Sequence, residues 1–480
     1  MKFSPYIHPT VDRFLSDKDN LEQLLNAFGS PLNIIFPEIS GENLNNFKKV
    51  LDEKHVRGRV YYAHKTNKSS SIPRYLSFQD SFIDVASLNE LKSALTNGFA
   101  GERIEATGPK DKEFMILGIQ HEVLFNIDNM QELFELVNLS KVLSLRKKIK
   151  VLVRFSGFTS ERVKIINKDS RFGIAFDEYE EVLKYLKENE KIIDFVGVSF
   201  HLDTVEMKEK LIAIESSLEI VNAAFELALD PSVLNIGGGF KTNYLSSKED
   251  WEYSITKLKE SILNADKSLT WNGQSFGLKK DKGALKGALN IYSYYDEVVG
   301  SDYLKKLLET PLERFGKRSF GTILCENMLD LYIEPGKSLV ANAGITVARV
   351  AFVKKSAKGE ILIGLSMKKT DVVFEEQEIF IDPVIIYKQE SNIATDSKEV
   401  GVYFVGNLCL ESDLIFKHKI FLERLPTAGD KVVFINTAGY FMDFSRSDTI
   451  KQRIATKLAF VEREDGFRWY LDENYQPIQD

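Results

Sequence analysis

The sequence predicts an α/β protein with two parts, a closed (β/α)8 barrel of parallel strands (a TIM barrel) and a smaller all-β domain. Three observations lead to this prediction. Eight short apolar segments recur between residues 58 and 340, and most of them are separated by a helical pattern. After residue 340, strand-like segments follow one another without helices. At 480 residues, the chain is also longer than one hydrophobic core normally organises.

The eight apolar segments are the predicted barrel strands. They are nearly continuous runs rich in β-branched and aromatic residues, as expected for parallel strands covered on both faces. The stretches 89–99 and 177–191 space their apolar residues at three and four and begin with Asn or Asp, which predicts helices. The predicted strands are RVYYAHK (59–65), SFIDVAS (81–87), RIEATGPK (103–110), VLFNID (123–128), KVLVRF (150–155), FVGVSFHLD (195–203), VLNIGGG (233–239) and LDLYIEPG (329–336).

The domain boundaries follow from where this pattern changes. We expect the barrel to span residues 36–338. Between its last two strands about ninety residues replace the usual helix, so we predict an insertion at 244–322, either a lid at the barrel mouth or a surface excursion. Residues 1–35 and 339–480 are assigned to the all-β domain, of the Greek-key type. Its predicted strands lie at 361–367, 371–376, 379–388, 401–406, 414–423, 430–436 and 467–472.

Composition and charge argue against several classes of function. The formal net charge of −7 offers no basic surface for nucleic acid or for an anionic membrane. No apolar run is long enough to cross a bilayer and the N-terminus lacks a signal-peptide core, so we expect a cytoplasmic protein. The two cysteines, Cys325 and Cys409, predict no disulfide framework, and the six histidines have no metal-ligand spacing, so no metal site is expected.

Residues able to carry chemistry collect at the predicted strand ends. In a parallel barrel the active site lies at the C-terminal face, where the ends of all strands meet. The residues found there are Lys65, Asp84 with Ser87, Lys110, Asp128, Arg154, His201, Gly237 to Gly239, and Glu334.

Taken singly, these residues have ordinary explanations. A strand-end lysine such as Lys65 is usually solvated, a Gly-Gly-Gly run is more often a flexible turn, and His201 alone could be a hydrogen-bonded core histidine. Together they meet the needs of one cofactor, pyridoxal phosphate. Those needs are a lysine for a Schiff base with the aldehyde, a glycine loop for the phosphate, an imidazole to stack on the ring, and a carboxylate such as Glu334 for the pyridine nitrogen.

The segments around these residues resemble the fold type III pyridoxal phosphate enzymes, specifically the ornithine/diaminopimelate/arginine decarboxylase superfamily with its alanine-racemase-like barrel. The order and spacing of the motifs are the strongest part of the resemblance. The corresponding segments are FGSPLNI (28–34), YYAHKTN (61–67, with Thr66 where alanine is usual), FIDVASLNEL (82–91), SFHLDT (199–204), GGGF (237–240), EPGK (334–337), GNLCLESD (406–413) and TAGYFMDF (437–444).

The resemblance implies a role for each of these residues. Lys65 would hold the cofactor covalently, His201 would stack on its ring, and Glu334 would pair with the pyridine nitrogen. Cys409 would return a proton to the substrate α-carbon, although a free cysteine is more often a small buried hydrophobic residue. Lys65, His201, Glu334 and Cys409 are thus the implied catalytic residues. The implied cofactor-binding set is Lys65, Asp84, Arg154, His201, Thr204, Gly237, Gly238, Gly239, Glu334, Lys337 and Tyr440, and the implied substrate contacts are Glu411, Asp413 and Tyr440.

The resemblance also implies an assembly and a reaction. In the family the active site forms across a dimer interface, so Cys409 and Asp413 would complete the site of the second subunit in a homodimer. A carboxylate at Glu334 keeps the pyridine nitrogen protonated and favours loss of CO2, whereas racemases of this fold place an arginine there. We therefore expect an amino acid decarboxylase. A racemase or aldolase of the same fold, or a non-catalytic regulatory homologue, are the alternatives.

Several positions depart from the family pattern and bear on the substrate. Lys337 stands where arginine is usual, Asp203 where glycine is usual and Asn407 where proline is usual. Leu410 follows the cysteine where ornithine-type and diaminopimelate-type enzymes carry Asp or Glu for the distal amine, and Asp382 lies where we looked for an arginine to hold a distal carboxylate. These departures predict a divergent branch that acts on a diamino acid or a conjugate of one.

Overall fold

The computed structural model describes residues 1–159, 170–202, 206–290, 292, 295–374, 376, 379–388, 399–445, 447–464 and 466–477. The N-terminal segment holds two helices, one strand and a third, longer helix that leads into the barrel. They are α1 (Pro9–Ser16), α2 (Lys18–Phe28), β1 (Leu32–Ile35) and α3 (Pro37–Glu53).

From residue 58 onward, strands and helices alternate. The elements up to residue 235 are β2 (Gly58–Ala63), α4 (Ser71–Ser77), β3 (Phe82–Val85), α5 (Leu88–Thr96), β4 (Ile104–Ala106), α6 (Lys112–Gln120), β5 (Leu124–Ile127), α7 (Met130–Val142), β6 (Ile149–Ser156), β7 (Ile174–Ala175), α8 (Tyr179–Glu188), β8 (Ile193–Ser199), α9 (Met207–Glu226) and β9 (Val233–Asn235).

The rest of the chain contains the insertion, one more barrel strand and the β domain. The insertion and the barrel strand comprise α10 (Lys248–Leu263), β10 (Lys279–Asp281), β11 (Ala284–Lys286), α11 (Gly300–Glu309), α12 (Phe320–Glu326) and β12 (Asp330–Ile333). The strands that follow are β13 (Gly344–Lys355), β14 (Ile361–Leu365), β15 (Val384–Ile386), β16 (Val400–Val405), β17 (Ile420–Leu422), β18 (Lys431–Phe434), β19 (Thr456–Arg463) and β20 (Gly466–Leu471).

The eight predicted strands form a closed parallel barrel in the described part of the chain. Their order around the barrel is β5, β4, β3, β2, β12, β9, β8 and β6, and β6 pairs with β5 to close the ring. Every one of these pairings is parallel. The predicted barrel is therefore confirmed, and each strand lies within or overlaps its predicted segment.

Polar residues that end a strand also start the next helix. Ser87 Oγ accepts the backbone N–H of Glu90 (3.2 Å) at the start of α5, and Asn129 Oδ1 accepts the N–H of Glu132 (3.0 Å) at the start of α7. Each bond satisfies a donor that a helix start would otherwise leave unpaired. The helices predicted at 89–99 and 177–191 are confirmed as α5 and α8.

The barrel interior is layered, because side chains two residues apart on a strand point to the same side. An apolar cluster fills the lower part of the barrel. Closer to the C-terminal ends of the strands, a second set of inward-facing residues is polar, so a polar layer lies between the apolar floor and the mouth. The apolar cluster is Tyr61, Leu124, Leu152, Val233 and Tyr332, and the polar residues two positions further along four of these strands are Asn126, Arg154, Asn235 and Glu334.

The β domain is a nine-stranded sheet. Its main order is β17, β16, β14, β13, β1, β19 and β20, and β18 pairs with both β13 and β15. The β1–β19 and β14–β16 pairs are parallel and the others are antiparallel. The all-β domain is confirmed, and its sheet takes β1 from the N-terminal segment, between β13 and β19.

One predicted strand of this domain is wrong over residues 371–374. The chain makes a short 3-10 turn at Lys369–Asp371, and the Asp371 carboxylate accepts the backbone N–H of Lys368 (2.8 Å). This hydrogen bond occupies a backbone N–H group that a neighbouring strand would otherwise accept from, and aspartate side chains often compete with β-sheets in this way. Val372 and Phe374 are nevertheless buried in the core of the β domain, so the apolar run reflects burial without a strand.

Different parts of the insertion pack into the cores of the barrel and of the β domain. Tyr244, Leu245 and Leu258 are buried in the core of the β domain, while the side chains of α11 are buried in the barrel core. The Trp271 N–H also donates to the carbonyl of Lys417 (2.7 Å), beside β17. The first half of the insertion is thus part of a core and not a surface excursion. The domain boundaries given above stay predictions.

The described ranges hold no candidate for two features, a membrane-spanning helix and a metal-binding cluster. No helix there is long and apolar enough to span a bilayer. No group of three or more His, Cys, Asp or Glu side chains there is arranged to hold a metal ion.

Candidate active site

The turn that carries Lys65 lies at the C-terminal end of β2. The chain leaves the barrel there in a single 3-10 turn, His64–Thr66. The Tyr440 N–H donates to the carbonyl of Thr66 (2.9 Å), and Asn67 Nδ2 donates to the carbonyl of Ala438 (2.8 Å). Both contacts come from the segment after β18, so the β domain fixes the turn that presents the lysine.

The Lys65 ammonium faces several acidic groups. Its side chain is reached by solvent from the barrel mouth but is closely surrounded by protein, as in an open cleft. Burial acts to lower the pKa of Lys65, but Tyr440, Asp84 and Glu334 together outweigh it and raise that pKa. The arrangement favours the charged amine in the protein alone.

Glu334 follows β12, the strand next to β2, and its side chain is buried. Asn235 Nδ2 donates to Glu334 Oε1 (2.8 Å). Burial raises the pKa of Glu334, while the charges of Lys65 and Arg154 oppose that rise. The site therefore contains a buried carboxyl group with increased proton affinity close to a lysine.

The glycine loop packs against His201. Gly237 has a left-handed φ of 62°, and a Cβ there would lie 2.7 Å from His201 Nδ1. The Gly238 N–H donates to the same Nδ1 (3.2 Å). Burial, with the charges of Lys65 and Arg154, lowers the pKa of His201 well below its usual value. The imidazole is therefore neutral, and its 3.9 Å approach to Glu334 is a contact between a neutral ring and a carboxyl group.

Two further predicted residues complete the wall of the mouth. Asp84, at the end of β3, accepts a hydrogen bond from the Thr107 hydroxyl (2.6 Å). Its burial, followed by the charge of Glu334, raises its pKa from 3.8 to about 8. Arg154 Nε, on β6, is buried with no hydrogen-bond partner in the part of the chain that the structure describes, and the guanidinium lies 5.0 Å from the ring centre of Phe172.

The raised pKa of Asp84 predicts a pH-dependent stability. Between pH 4 and 8 the unfolded chain ionises this carboxyl group while the folded chain keeps it protonated, so its contribution to the free energy of unfolding falls as pH rises. We expect Asp84→Asn to reduce the loss of stability between pH 5 and pH 8 by at least about 1.4 kcal/mol, the equivalent of one pKa unit. Urea unfolding of the cofactor-free protein measures this, with Asp177→Asn at an exposed position as control. An equal loss in wild type and Asp84→Asn would contradict it.

A second side of the mouth is formed around Gly336. A Cβ at this residue would lie 2.8 Å from Thr66 Oγ1 and 3.3 Å from the Tyr440 hydroxyl. Thr66 is fully buried, and within the described ranges its hydroxyl has no hydrogen-bond partner. Lys337 Nζ lies 5.7 Å from the ring centre of Tyr440 and 5.1 Å from that of Tyr292. Glycine at 336 thus leaves room beside two hydroxyl groups and near an ammonium group.

The predicted residues of the β domain occupy a separate exposed loop. Cys409 and Glu411 are exposed, whereas Asp413 is buried beneath them. Asp413 accepts the backbone N–H groups of Lys369 (2.8 Å) and Leu408 (2.7 Å). This favours a supporting role for Asp413 in holding the loop, and its contact with a substrate stays a prediction.

Some strand-end residues noted in the sequence serve other purposes. Lys110 Nζ pairs with Glu132 (2.9 Å) and donates to the carbonyl of Asn126 (2.7 Å), with both charged side chains buried. Asp128 accepts the N–H of Gly173 (3.0 Å). These contacts hold the ends of neighbouring elements together. Thr204 lies outside the described residues.

The sequence reasoning missed several polar residues beneath the mouth. They are Glu105, Asn126, Asn235 and Lys210, all buried. The signal was available in the alternation of strand residues, since Asn235 precedes Gly237 by two and Asn126 precedes Asp128 by two, which places each pair on one face. Lys210, on α9, gave no such signal. Its ammonium donates to the carbonyl of Gly238, and burial lowers its pKa to about 7.

Comparison with known protein sequences agrees with this geometry. The pyridoxal-binding domain of the pyridoxal-dependent decarboxylases matches residues 41–274. The uncharacterized protein y4yA of Sinorhizobium fredii is 27% identical over 445 residues, which are 91% of this chain and 89% of that protein. The diaminopimelate decarboxylase of Staphylococcus aureus is 22% identical over 434 residues, 88% of this chain and 87% of that protein.

Solved structures share the fold. The diaminopimelate decarboxylase of M. jannaschii in complex with L-lysine superposes with a TM-score of 0.69 at 19% identity, over 97% of this chain and 94% of that one. The arginine decarboxylase of Paramecium bursaria Chlorella virus gives a TM-score of 0.65 at 17% identity, over 92% and 98%. At these identities the likeness concerns the barrel and the β domain.

A parallel barrel with a strand-end lysine, a glycine loop and a buried glutamate, joined to a β domain that touches the lysine turn, defines the class. Residues 41–274 match the pyridoxal-binding domain of the pyridoxal-dependent decarboxylases, and the chain is similar to the fold type III superfamily of these enzymes. Within that superfamily it is similar to the ornithine/diaminopimelate/arginine decarboxylase group, whose members are carboxy-lyases, and its cofactor is pyridoxal phosphate.

Proposed function

We propose that this protein decarboxylates a diamino acid or a conjugate of one, with an active site completed by a second copy of the chain. The observation that carries the reaction is the placement of Lys65 and Glu334 at the ends of two neighbouring strands, with the glutamate buried. A buried carboxyl group opposite the lysine is what a decarboxylating pyridine cofactor requires.

The residues of the mouth fit pyridoxal phosphate. Arg154 Nε and Thr66 Oγ1 are buried donors that lack a partner among the described residues, and such groups are costly unless a ligand satisfies them. Gly237 and Gly336 leave space that a side chain would fill. The Gly237 and Gly238 N–H groups already donate to Asn235 and His201, so the Gly239 N–H, with Thr66, Lys337 and Tyr440, would bind the phosphate.

The protein groups would divide the remaining tasks. When bound, the cofactor supplies an electron-withdrawing ring that takes up the electron pair left by departing CO2. Lys65 Nζ would bond the aldehyde carbon, and the neutral His201 ring would lie against the ring face. Glu334 would share its proton with the ring nitrogen, and Asp84 and Arg154 would set the charge around it.

Substitution of Thr66 tests whether its hydroxyl binds the phosphate of the cofactor. We expect Thr66→Val, which keeps the shape but removes the hydroxyl, to weaken cofactor binding about tenfold, because one hydrogen bond to a charged group is lost. Thr66→Ser keeps the hydroxyl and should bind within about twofold of wild type. The dissociation constant from a fluorescence titration of the cofactor-free protein measures this. Equal affinity of the valine variant and wild type would remove Thr66 from the phosphate site.

The exposed Cys409 loop supports a shared site. Leu410 is 49% exposed, and Phe444 and Ile450 are 51% and 57% exposed. Asn407 Nδ2 contacts Gln452 Oε1 (3.4 Å), which ties the loop to the segment that carries Ile450. Exposed apolar side chains on neighbouring segments favour contact with another protein surface. In a homodimer this surface would bring Cys409 to the mouth of the second subunit.

Mixed dimers test this arrangement. A mixture of Lys65→Ala and Cys409→Ala subunits is expected to regain about a quarter of wild-type activity, since half of the dimers are mixed and each then has one intact site. The measurement is CO2 release after subunit exchange, with each variant alone as control. If exchange is verified by mass spectrometry and activity stays at the level of the separate variants, Cys409 does not act across the interface.

The loop also bears on the substrate. Leu410 presents an apolar side chain beside Cys409, and the carboxylate of Glu411 lies one residue further along. This pattern fits a substrate whose distal amine reaches Glu411 and whose chain, or attached group, contacts Leu410. A free short diamino acid would leave Leu410 without an apolar contact, which favours a longer or conjugated substrate.

The substrate class is tested by CO2 release from the holoenzyme. The panel comprises L- and D-diamino acids and their N-acylated conjugates, each also analysed for chirality and for carbonyl products. We expect release of CO2 from diamino acids or their conjugates. A change of chirality or a retro-aldol product without CO2 would replace the proposal by a racemase or aldolase.

A further inference from the structure

A single amide links the glycine loop to two buried carboxyl groups. Asn235 Nδ2 donates to Glu334 Oε1 (2.8 Å) and to both oxygens of Glu105 (2.9 and 3.0 Å). Asn235 Oδ1 accepts the N–H of Gly237 (2.8 Å). One side chain therefore contacts the loop proposed for the phosphate and the carboxyl group proposed for the ring nitrogen.

The orientation of this amide follows from its partners. A backbone N–H can only donate, so the atom of Asn235 that faces Gly237 must be the oxygen, and the NH2 group must face the carboxyl groups. Asn126 Nδ2 also donates to Glu105 Oε1 (2.7 Å), and its Oδ1 accepts the Ser199 hydroxyl (2.6 Å). Glu105 thus accepts hydrogen bonds from two amides, and that of Asn235 has its orientation fixed by a backbone N–H.

Glu105 acts across the barrel. It lies on β4, and Asn235 lies on β9, which is on the opposite side of the ring. Their contact can only pass through the barrel interior. Glu105 is fully buried and belongs to the polar layer below the mouth, where it does not reach solvent.

We propose that Glu105 is a positioning residue that holds Asn235 in the orientation needed by Glu334 and by the glycine loop. This inference rests on the cofactor roles proposed above for Glu334 and the glycine loop. It assigns to Glu105 no contact with cofactor or substrate.

The groups around Glu105 and Glu334 determine the direction in which a substitution should shift the pKa of Glu334. Burial raises the pKa of Glu105 well above its usual value, and Glu334 and Asp84 add to that rise. Burial raises the pKa of Glu334 and the hydrogen bond from Asn235 opposes that rise, so losing this bond should raise the pKa of Glu334 further. The titratable and charged groups that face Glu105 or Glu334 are Tyr61, Lys65, Asp84, Arg154, His201, Lys210 and Tyr332.

Glu105→Gln tests the proposal. The variant keeps the shape but turns one acceptor into a donor that faces the amide NH2 groups, which should turn Asn235 away from Glu334 and Gly237. We expect the dissociation constant of pyridoxal phosphate to rise about tenfold and the midpoint of the pH-dependent change in cofactor absorbance to rise by about one pH unit. A variant with lower thermal stability but unchanged affinity and unchanged midpoint would show that Glu105 has only a structural role, and would overturn the proposal.

A double-mutant cycle tests the path through Asn235. In an Asn235→Ala background, Glu105→Gln should cause no further change in affinity, because the amide through which it acts is gone. Equal and additive effects in both backgrounds would overturn the proposal.

A second variant tests the proposal if Glu105→Gln does not fold. If Glu105→Gln gives no folded protein, Asn126→Ala, which removes one donor to Glu105, should raise the absorbance midpoint by a smaller amount. An unchanged midpoint there would overturn the proposal. Wild-type protein that binds no pyridoxal phosphate would instead contradict the proposed function.

Discussion

Lys65→Ala is expected to abolish decarboxylation, with CO2 release reduced by at least about three orders of magnitude. Lys65 is the amine proposed to bond the cofactor aldehyde, and its turn is fixed from both sides by β2 and by the β domain. The visible absorbance of the lysine-bound cofactor should disappear from the variant. Absorbance spectra and CO2 release of protein saturated with cofactor measure both effects.

The control for this variant is Lys49→Ala, at an exposed position of α3. It should keep the wild-type spectrum and rate. If Lys65→Ala kept the absorbance band while Lys49→Ala behaved as wild type, another amine would bond the cofactor. The assignment of the mouth would then have to be abandoned.

Glu334→Gln is expected to reduce the rate by about 10² to 10³-fold while the cofactor remains bound. Glutamine can still accept the hydrogen bond from Asn235, so the loop should keep its position. What the variant loses is the acid that shares a proton with the ring nitrogen. Single-turnover CO2 release and the cofactor dissociation constant separate the two effects.

Glu334→Asp serves as the matched comparison because it retains the acid on a shorter side chain. It should recover part of the rate that glutamine loses. If glutamine and aspartate variants reacted as fast as wild type, the glutamate would not control the ring nitrogen. A racemase-like reaction, in which that proton is not needed, would then become the better explanation.

The barrel was predictable because each of its strands can be recognised from its own sequence segment. Each segment is a short apolar run that ends in a polar or glycine residue, and parallel strands are buried on both faces. Lys65 and Glu334 could be placed at the mouth for the same reason, since both follow such runs. The same pattern gave a wrong prediction at residues 371–374. The apolar run there is buried in the core but does not form a strand.

The strands and contacts that were missed depend on partners far along the chain. β13 lies between β1 and β14 and also pairs with β18, so its position follows from the assembled sheet and not from its own pattern. β19 pairs with β1, more than four hundred residues away in sequence. The Glu105–Asn235 contact likewise joins opposite sides of the barrel, and no pattern in the local sequence predicts it.

The position of β12 has a consequence for how the chain folds during synthesis. This strand lies between β2 and β9 and so closes the last gap in the ring, yet it follows the insertion in sequence. Until it emerges from the ribosome, two strand edges of the growing barrel remain open, and open edges invite pairing with other chains. Ring closure must also wait for residues 244–263, which pack in the other core. The nascent barrel is therefore most exposed to aggregation while the ribosome translates the insertion.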